Sequence, residues 1–67
     1  NLISYVTELR LEKARELLSD MQYSISEVAA LSGYSDAKYF AKLFKKKMGS
    51  TPSEYRNLII QGGIDGN

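Results

Sequence analysis

Apolar residues recur at helical spacing in four segments of the chain. In the first segment, about residues 2–19, apolar side chains return every three or four positions and charged residues fill the places between them, as in an amphipathic helix. The stripe comprises Leu2, Val6, Leu9, Leu11, Ala14, Leu17, Leu18 and Met21. Further helices are predicted at about 25–32, 36–48 and 52–60. No segment is typical of a strand, so the pattern predicts an all-α fold.

Capping residues mark where these helices begin. Asn1 is suited to cap the first helix. Ser24–Glu27 and Thr51–Glu54 each match a capping box, in which the hydroxyl and the carboxylate satisfy each other's backbone N–H. For the third helix we expect Ser35 to be the cap, with Asp36 interacting favourably with the positive end of the helix dipole.

Glycines mark where the second and third helices end. Gly33 and Gly49 follow the last periodic residues of these helices, and glycine enters a left-handed turn without a steric penalty. Residues 61–67 hold three of the five glycines, and we expect them to form a flexible tail. The sequence therefore predicts one folded unit over residues 1–60 and a tail over 61–67.

A small hydrophobic core is expected where the second and third helices meet. Ala29 supplies a small side chain at the crossing, and Tyr34 follows the turn as an apolar plug. Tyr39, Phe40 and Phe44 recur at helical spacing and are predicted to join the third helix to the core.

The composition excludes several kinds of function. The chain has no cysteine and no histidine. It therefore lacks disulfides, thiolate metal sites, the usual general base and the commonest metal ligand, so we expect neither an enzyme nor a cofactor. No apolar run approaches the roughly 18 residues that a membrane span needs, and no signal peptide is evident. This profile is compatible with a cytoplasmic protein that has no membrane partner.

The net charge of +1 hides an uneven distribution. Residues 1–35 carry three basic and five acidic side chains, whereas residues 36–67 carry six basic and three acidic ones. A chain of nearly neutral total charge with one basic segment is suited to hold a polyanion on one face.

A short helix, a glycine turn and a longer basic helix together form the arrangement of a helix-turn-helix, whose second helix enters the DNA major groove. Four residues on the outer side of the third helix are predicted to face the bases: Ala37, Lys38, Ala41 and Lys42. Phosphate contacts are predicted for Lys45 and Lys46 at the end of that helix, and for Ser24 and Ser26 at the start of the second.

The segment from Ile25 to Arg56 closely resembles the second helix-turn-helix of AraC/XylS-type transcription regulators. The matching positions are Ala29, Gly33, Tyr34, Ser35, Asp36, Tyr39, Phe40, Lys42, Phe44, Lys45, Lys46, Gly49, Thr51, Pro52, Tyr55 and Arg56. The preceding helix resembles the linker helix of the same family, with Tyr5, Arg10, Leu11, Ala14 and Leu18 matching. The resemblance covers about residues 1–57.

The resemblance implies a homeodomain-like fold and a bacterial regulator of transcription that binds double-stranded DNA. It also implies that a first helix-turn-helix precedes the linker helix and is missing from this chain, and that the parent protein has a sensing or receiver domain elsewhere. Apolar residues on the linker helix, such as Ile3, Tyr5 and Val6, are then expected to be exposed where that first unit would cover them.

A protein-interaction module is the alternative function. Its basic helix would bind an acidic partner, such as an RNA polymerase subunit or a receiver domain, and would touch only the DNA backbone. The small side chains of Ala37 and Ala41 favour DNA, because a helix that binds a protein partner usually offers large apolar anchors.

Overall fold

The computed structural model of the protein describes residues 1–61, and these residues form four helices without a strand. The helices are α1 (Leu2–Leu18), α2 (Ile25–Leu31), α3 (Ala37–Met48) and α4 (Pro52–Ile60). The all-α prediction is confirmed, and each predicted boundary agrees with the structure to within one residue. The predicted tail begins at Gln61, and all of it beyond Gln61 lies outside the described residues. None of the four helices is long and apolar enough to cross a membrane.

The predicted caps of α1, α2 and α4 are present. The side chain of Asn1 accepts a hydrogen bond from a backbone N–H in the first turn of α1. At α2, Glu27 N donates to Ser24 Oγ at 3.1 Å and Ser24 N donates to Glu27 Oε1 at 2.7 Å. The same reciprocal pair forms at α4, with 3.1 Å from Glu54 N to Thr51 Oγ1 and 2.9 Å from Thr51 N to Glu54 Oε1.

The predicted cap of α3 is wrong by one residue. Asp36, not Ser35, has the extended backbone of a cap (φ −113°, ψ 107°), and its carboxylate Oδ1 accepts from Lys38 N at 2.9 Å and from Tyr39 N at 3.3 Å. A carboxylate makes stronger, charge-assisted hydrogen bonds to these N–H groups than a hydroxyl, and it also favours the positive end of the helix.

The core lies where all four helices meet. Helix α1 packs against α2 and α4, and α3 packs against the same two helices. The buried apolar residues come from α1, α2, α3 and the turn after α2: Leu11, Ala14, Leu18, Val28, Ala29, Tyr34, Phe40 and Phe44. From α4, Tyr55 packs against this core, and Pro52 at the start of the helix is fully buried.

Aromatic rings connect the elements of this core. The rings of Tyr34 and Phe40 lie 5.6 Å apart between centroids, and those of Phe40 and Phe44 lie 5.8 Å apart. Tyr55 of α4 meets Phe44 edge-on at 5.8 Å. Such tilted and edge-on pairs are the arrangements that aromatic rings prefer. The predicted core positions of Tyr34, Phe40 and Phe44 are confirmed.

Tyr39 was predicted to lie in the core, and this prediction is wrong. It is 56% exposed, although its ring lies 6.1 Å from that of Tyr34. Successive residues of a helix are turned by about 100°, so a helix that buries Phe40 and Phe44 places Tyr39 on its flank. Apolar periodicity alone does not distinguish the flank of a helix from its buried centre.

The N-terminal half of α1 is apolar and exposed. Leu2 is 74% exposed, Ile3 77%, Tyr5 59% and Leu9 52%, whereas every buried residue of α1 lies at Leu11 or beyond. The expectation of exposed apolar residues on this helix is therefore confirmed. The reason is geometric, because α2 and α4 reach only the second half of the 17-residue helix.

Candidate nucleic-acid interface

The outer side of α3 is formed by lysines. Phe40 and Phe44 are fully buried and fix which side of the helix faces the protein. The opposite side presents four exposed residues, which we call the lysine face: Lys38, Lys42, Lys45 and Lys46. All of them were predicted as contact residues, and the fold brings them together on one surface.

No lysine of the lysine face forms a salt bridge in the described part of the chain, although Lys45 lies near enough to Glu54 to lower the pKa of that carboxyl. Within residues 1–61 the one salt bridge is formed on α1, between Arg15 Nη1 and Glu12 Oε2 at 3.1 Å. A helix surface with four unpaired ammonium groups is suited to bind phosphates, since each neutralised phosphate releases condensed counterions from the duplex.

The two predicted alanine contacts differ in their surroundings. Ala41 is half-buried at the edge of the lysine face. Ala37 is also half-buried, and it packs against the hydrophobic core. Since Phe40 is buried three residues after Ala37, one turn along the helix, the methyl group of Ala37 is turned mainly towards the protein. A base contact by Ala37 or Ala41 stays a prediction.

The start of α2 places two exposed hydroxyl groups outside the core. The Oγ atom of Ser24 accepts the N–H of Glu27, and its hydroxyl hydrogen can still be donated to another partner. Ser26 lies in the first turn of α2 and is exposed. This geometry is compatible with the predicted phosphate contacts. The role of Ser24 that the structure shows is to cap α2.

The turn between α2 and α3 has the predicted left-handed glycine. Gly33 has φ +100°, and its N–H donates to Ala30 O at 3.0 Å. The guanidinium of Arg10 on α1 covers this turn, because a Cβ atom on Gly33 would lie 3.0 Å from Arg10 Nε. The same guanidinium carbon lies 5.2 Å from the ring centre of Tyr34. The sequence identified Arg10 only as a match to the linker helix and did not predict these contacts, because Gly33 and Tyr34 lie more than twenty residues away in the chain.

Arg56 has a structural role. Its Nε donates to Leu18 O at 3.0 Å and its Nη2 donates to Asp20 O at 3.2 Å. These carbonyls lie at the end of α1 and just beyond it, so Arg56 joins α4 to the end of α1. Two of its five guanidinium N–H groups are thereby used within the protein.

Glu54, at the start of α4, has a perturbed pKa. Its pKa is lowered mainly because the backbone N–H of Thr51 donates to the carboxylate. Desolvation opposes this shift to a lesser extent, and the Thr51 hydroxyl and the charge of Lys45 add smaller effects that lower the pKa. The cap of α4 thus prefers the ionised carboxylate. Over residues 1–61 no three potential ligands from His, Cys, Asp and Glu lie close enough to hold a metal ion.

Comparison with known proteins agrees with this architecture. A protein family described as "Helix-turn-helix domain" matches residues 1–58. The chain is 40% identical over 60 residues to the MmsAB operon regulatory protein of Pseudomonas aeruginosa, and 38% identical over 60 residues to the HTH-type transcriptional activator RhaR of Mannheimia succiniciproducens. It is also 40% identical over 53 residues to a protein of Formosa agariphila named Histidine kinase P4.

These relatives are much longer than the matched segment. The two regulators match 90% of this chain, which spans 20% and 22% of their lengths. The kinase matches 79% of this chain, which spans 4% of its length. No solved structure matches the chain significantly.

Proposed function

Because this chain belongs to the AraC-type helix-turn-helix family of DNA-binding transcription regulators, we propose that it binds double-stranded DNA with sequence preference by placing α3 in the major groove. The segment is a helix-turn-helix unit and not an enzyme, as its family membership confirms. The observation that carries the proposal is the lysine face, which lies directly opposite the buried Phe40 and Phe44.

The dimensions of helix and groove support this placement. An α-helix with its side chains is about 10–12 Å across, and the major groove of B-DNA is about 12 Å wide. Helix α3 has 12 residues, enough for three turns along the groove. The small side chain of Ala41 at the edge of the lysine face allows a close approach of the helix to the bases.

Each part of the interface has its own task in the proposal. Lys38 and Lys42, in the first half of α3, reach guanine O6 and N7 or the adjacent phosphates. Lys45 and Lys46, in the last turn, contact phosphates, as does the hydroxyl of Ser26 at the start of α2. With few side chains that both donate and accept hydrogen bonds, this unit reads a short sequence with modest discrimination.

Fluorescence anisotropy with a labelled random-sequence duplex tests the proposal. We expect binding at low salt that weakens steeply as salt rises, since the affinity depends on counterion release. Lys42→Ala is expected to weaken binding and to lower the discrimination between duplexes. Lys13→Ala, which removes an exposed lysine of α1, is the matched control and should leave affinity nearly unchanged. Equal affinities of the two variants would contradict the proposed orientation of α3.

The alternative is binding to an acidic protein partner such as RNA polymerase. A helix that recognises a protein surface usually presents large apolar anchors at the centre of the contact. The lysine face has none at its centre, and Tyr39 is the one large exposed aromatic residue of α3 and lies on its flank. A chain that binds no duplex at low salt while remaining helical would favour this alternative.

The proposal extends to the parent protein. A preceding helix-turn-helix unit would cover the exposed apolar half of α1, and a sensing or receiver domain would supply the signal, in a bacterial regulator that acts on DNA in the cytoplasm. Self-association of the chain through the same apolar residues is the competing explanation. Light scattering that shows only monomer at high protein concentration would exclude it.

A further inference from the structure

A cleft of about 590 Å³ lies between the N-terminal half of α1 and α3. Six of the residues that line it concern its chemistry: Ser4, Thr7 and Arg10 from α1, with Tyr39, Lys46 and Lys47 from α3. We propose that this α1–α3 cleft holds a phosphate of the DNA backbone and that Arg10 binds it. The inference rests on the proposed function, and it adds a contact from outside the helix-turn-helix itself.

The guanidinium of Arg10 packs against the protein in the absence of a ligand. One side of it meets the Tyr34 ring, with Cζ 5.2 Å from the ring centre, a cation–π arrangement. It also covers Gly33, where an added Cβ would approach Nε to 3.0 Å, Cζ to 3.3 Å and Cδ to 3.4 Å. Because Gly33 has no side chain, the guanidinium lies directly against the backbone of the turn. Little side-chain entropy is then lost when Arg10 binds an anion.

Arg10 differs from the other two arginines of the chain in its hydrogen bonds. Arg56 donates to two backbone carbonyls, and Arg15 donates to Glu12. In the described part of the chain Arg10 donates to no acceptor, although a guanidinium has five N–H groups in a fixed fork. This fork matches the geometry of phosphate oxygens and binds them with charge-assisted hydrogen bonds.

The charge of the cleft is positive on balance. Lys46 and Lys47 add two ammonium groups to the guanidinium, and Asp36 supplies the one carboxylate among the lining residues. The Oδ1 atom of Asp36 already accepts two backbone N–H groups at the positive end of α3, which offsets part of its charge. The hydroxyls of Ser4 and Thr7 offer further donors for a phosphate.

The position of the cleft relative to DNA follows from Lys46, which belongs both to the lysine face and to the cleft. A helix that nearly fills the major groove has a sugar-phosphate wall along each flank. The cleft lies along the flank of α3 that faces α1. When the lysine face points into the groove, one of these walls therefore runs past the opening of the cleft, and Arg10 meets it from α1.

The salt dependence of duplex binding tests this contact in the full chain. Each neutralised phosphate contributes about 0.9 to the slope of log K against log salt. Arg10→Gln is expected to reduce that slope by about 0.9, whereas Arg10→Lys, which keeps the charge, should largely retain it. Arg15→Gln is the matched control, because it removes an exposed arginine from the same helix and should leave the slope unchanged.

Arg10→Gln could lower the salt slope because the variant unfolds and not because the phosphate contact is lost. A second measurement, on the unaltered chain, distinguishes these two cases. The Nε–H resonance of Arg10 is followed by NMR as duplex is added, and we expect it to shift while that of Arg15 does not. A wild-type slope retained in Arg10→Gln, or an Arg10 resonance that does not respond to a bound duplex, would overturn the inference. If the wild-type chain binds no duplex at all, the proposed function fails first, so the two failures are distinguishable.

Discussion

Replacing Gly33 with alanine tests how the turn between α2 and α3 is built. The backbone there has φ +100°, a conformation that costs a residue with a Cβ about 1–3 kcal/mol. The new Cβ would also lie 3.0 Å from Arg10 Nε, so the guanidinium must shift by a few tenths of an ångström. The weakening of its contact with the Tyr34 ring costs up to about 0.5–1 kcal/mol at such an exposed site. We expect Gly33→Ala to destabilise the chain by the sum of both effects.

Gly49→Ala is the matched control for this substitution. Gly49 has nearly the same backbone angle, φ +91°, but an added Cβ would meet nothing within 4 Å. The loss of stability in Gly49→Ala therefore comes from backbone strain alone. The change in unfolded-state entropy is the same for both substitutions. In urea or thermal unfolding, Gly33→Ala should be less stable than Gly49→Ala by up to about 0.5–1 kcal/mol, or roughly 2–8 °C in Tm for a domain of this size.

A double-mutant cycle assigns that difference to Arg10. In an Arg10→Ala background the guanidinium is absent, so Gly33→Ala should cost no more than Gly49→Ala does. Equal stabilities of the two glycine variants in the unaltered chain would refute the reasoning. The reasoning would also fail if the extra cost of Gly33→Ala persisted without Arg10, since the clash would then arise elsewhere.

Two further predictions concern α4. Arg56→Gln removes both hydrogen bonds to the end of α1 and should destabilise the chain by about 1–3 kcal/mol in urea unfolding. The salt slope of DNA binding should stay unchanged. A lowered slope in a folded variant would instead indicate that Arg56 contacts phosphate. The pKa of Glu54 is lower in the folded chain than its ordinary value of 4.5. The ionised carboxylate therefore stabilises the fold at pH values above 4.5, and this contribution is lost as the pH falls through the folded-state pKa. Glu54→Gln should therefore lose less stability than the wild type when unfolding midpoints are followed from neutral pH into that acidic range, and parallel pH profiles would contradict it.

Much of the candidate site could be predicted from the sequence because it lies on one helix. The spacing of Phe40 and Phe44 fixes the inward side of α3, and the lysines then fall on the other side by helical periodicity alone. The same rule is less informative at the flanks. It assigned Tyr39 to the core, where the structure leaves the ring more than half exposed. It did not show that Ala37, predicted as a base contact, also packs against the core.

Local signals determined the elements of this protein. The four helices, both capping boxes and the left-handed glycines follow from hydrogen bonds and steric limits within three or four residues, and the sequence contains all of that information. Even here, the choice between Ser35 and Asp36 as the cap depended on which residue takes the extended conformation.

Only the tertiary structure decided which surfaces remain free. Helix α1 carries one continuous apolar stripe, yet α2 and α4 cover its second half and leave the first exposed. Arg10 rests on Gly33 and Tyr34, and Arg56 reaches back to Leu18, through contacts between residues far apart in the chain. Periodicity sets the direction of a side chain relative to its own helix, but its partners depend on where the other helices pack, which no local pattern specifies.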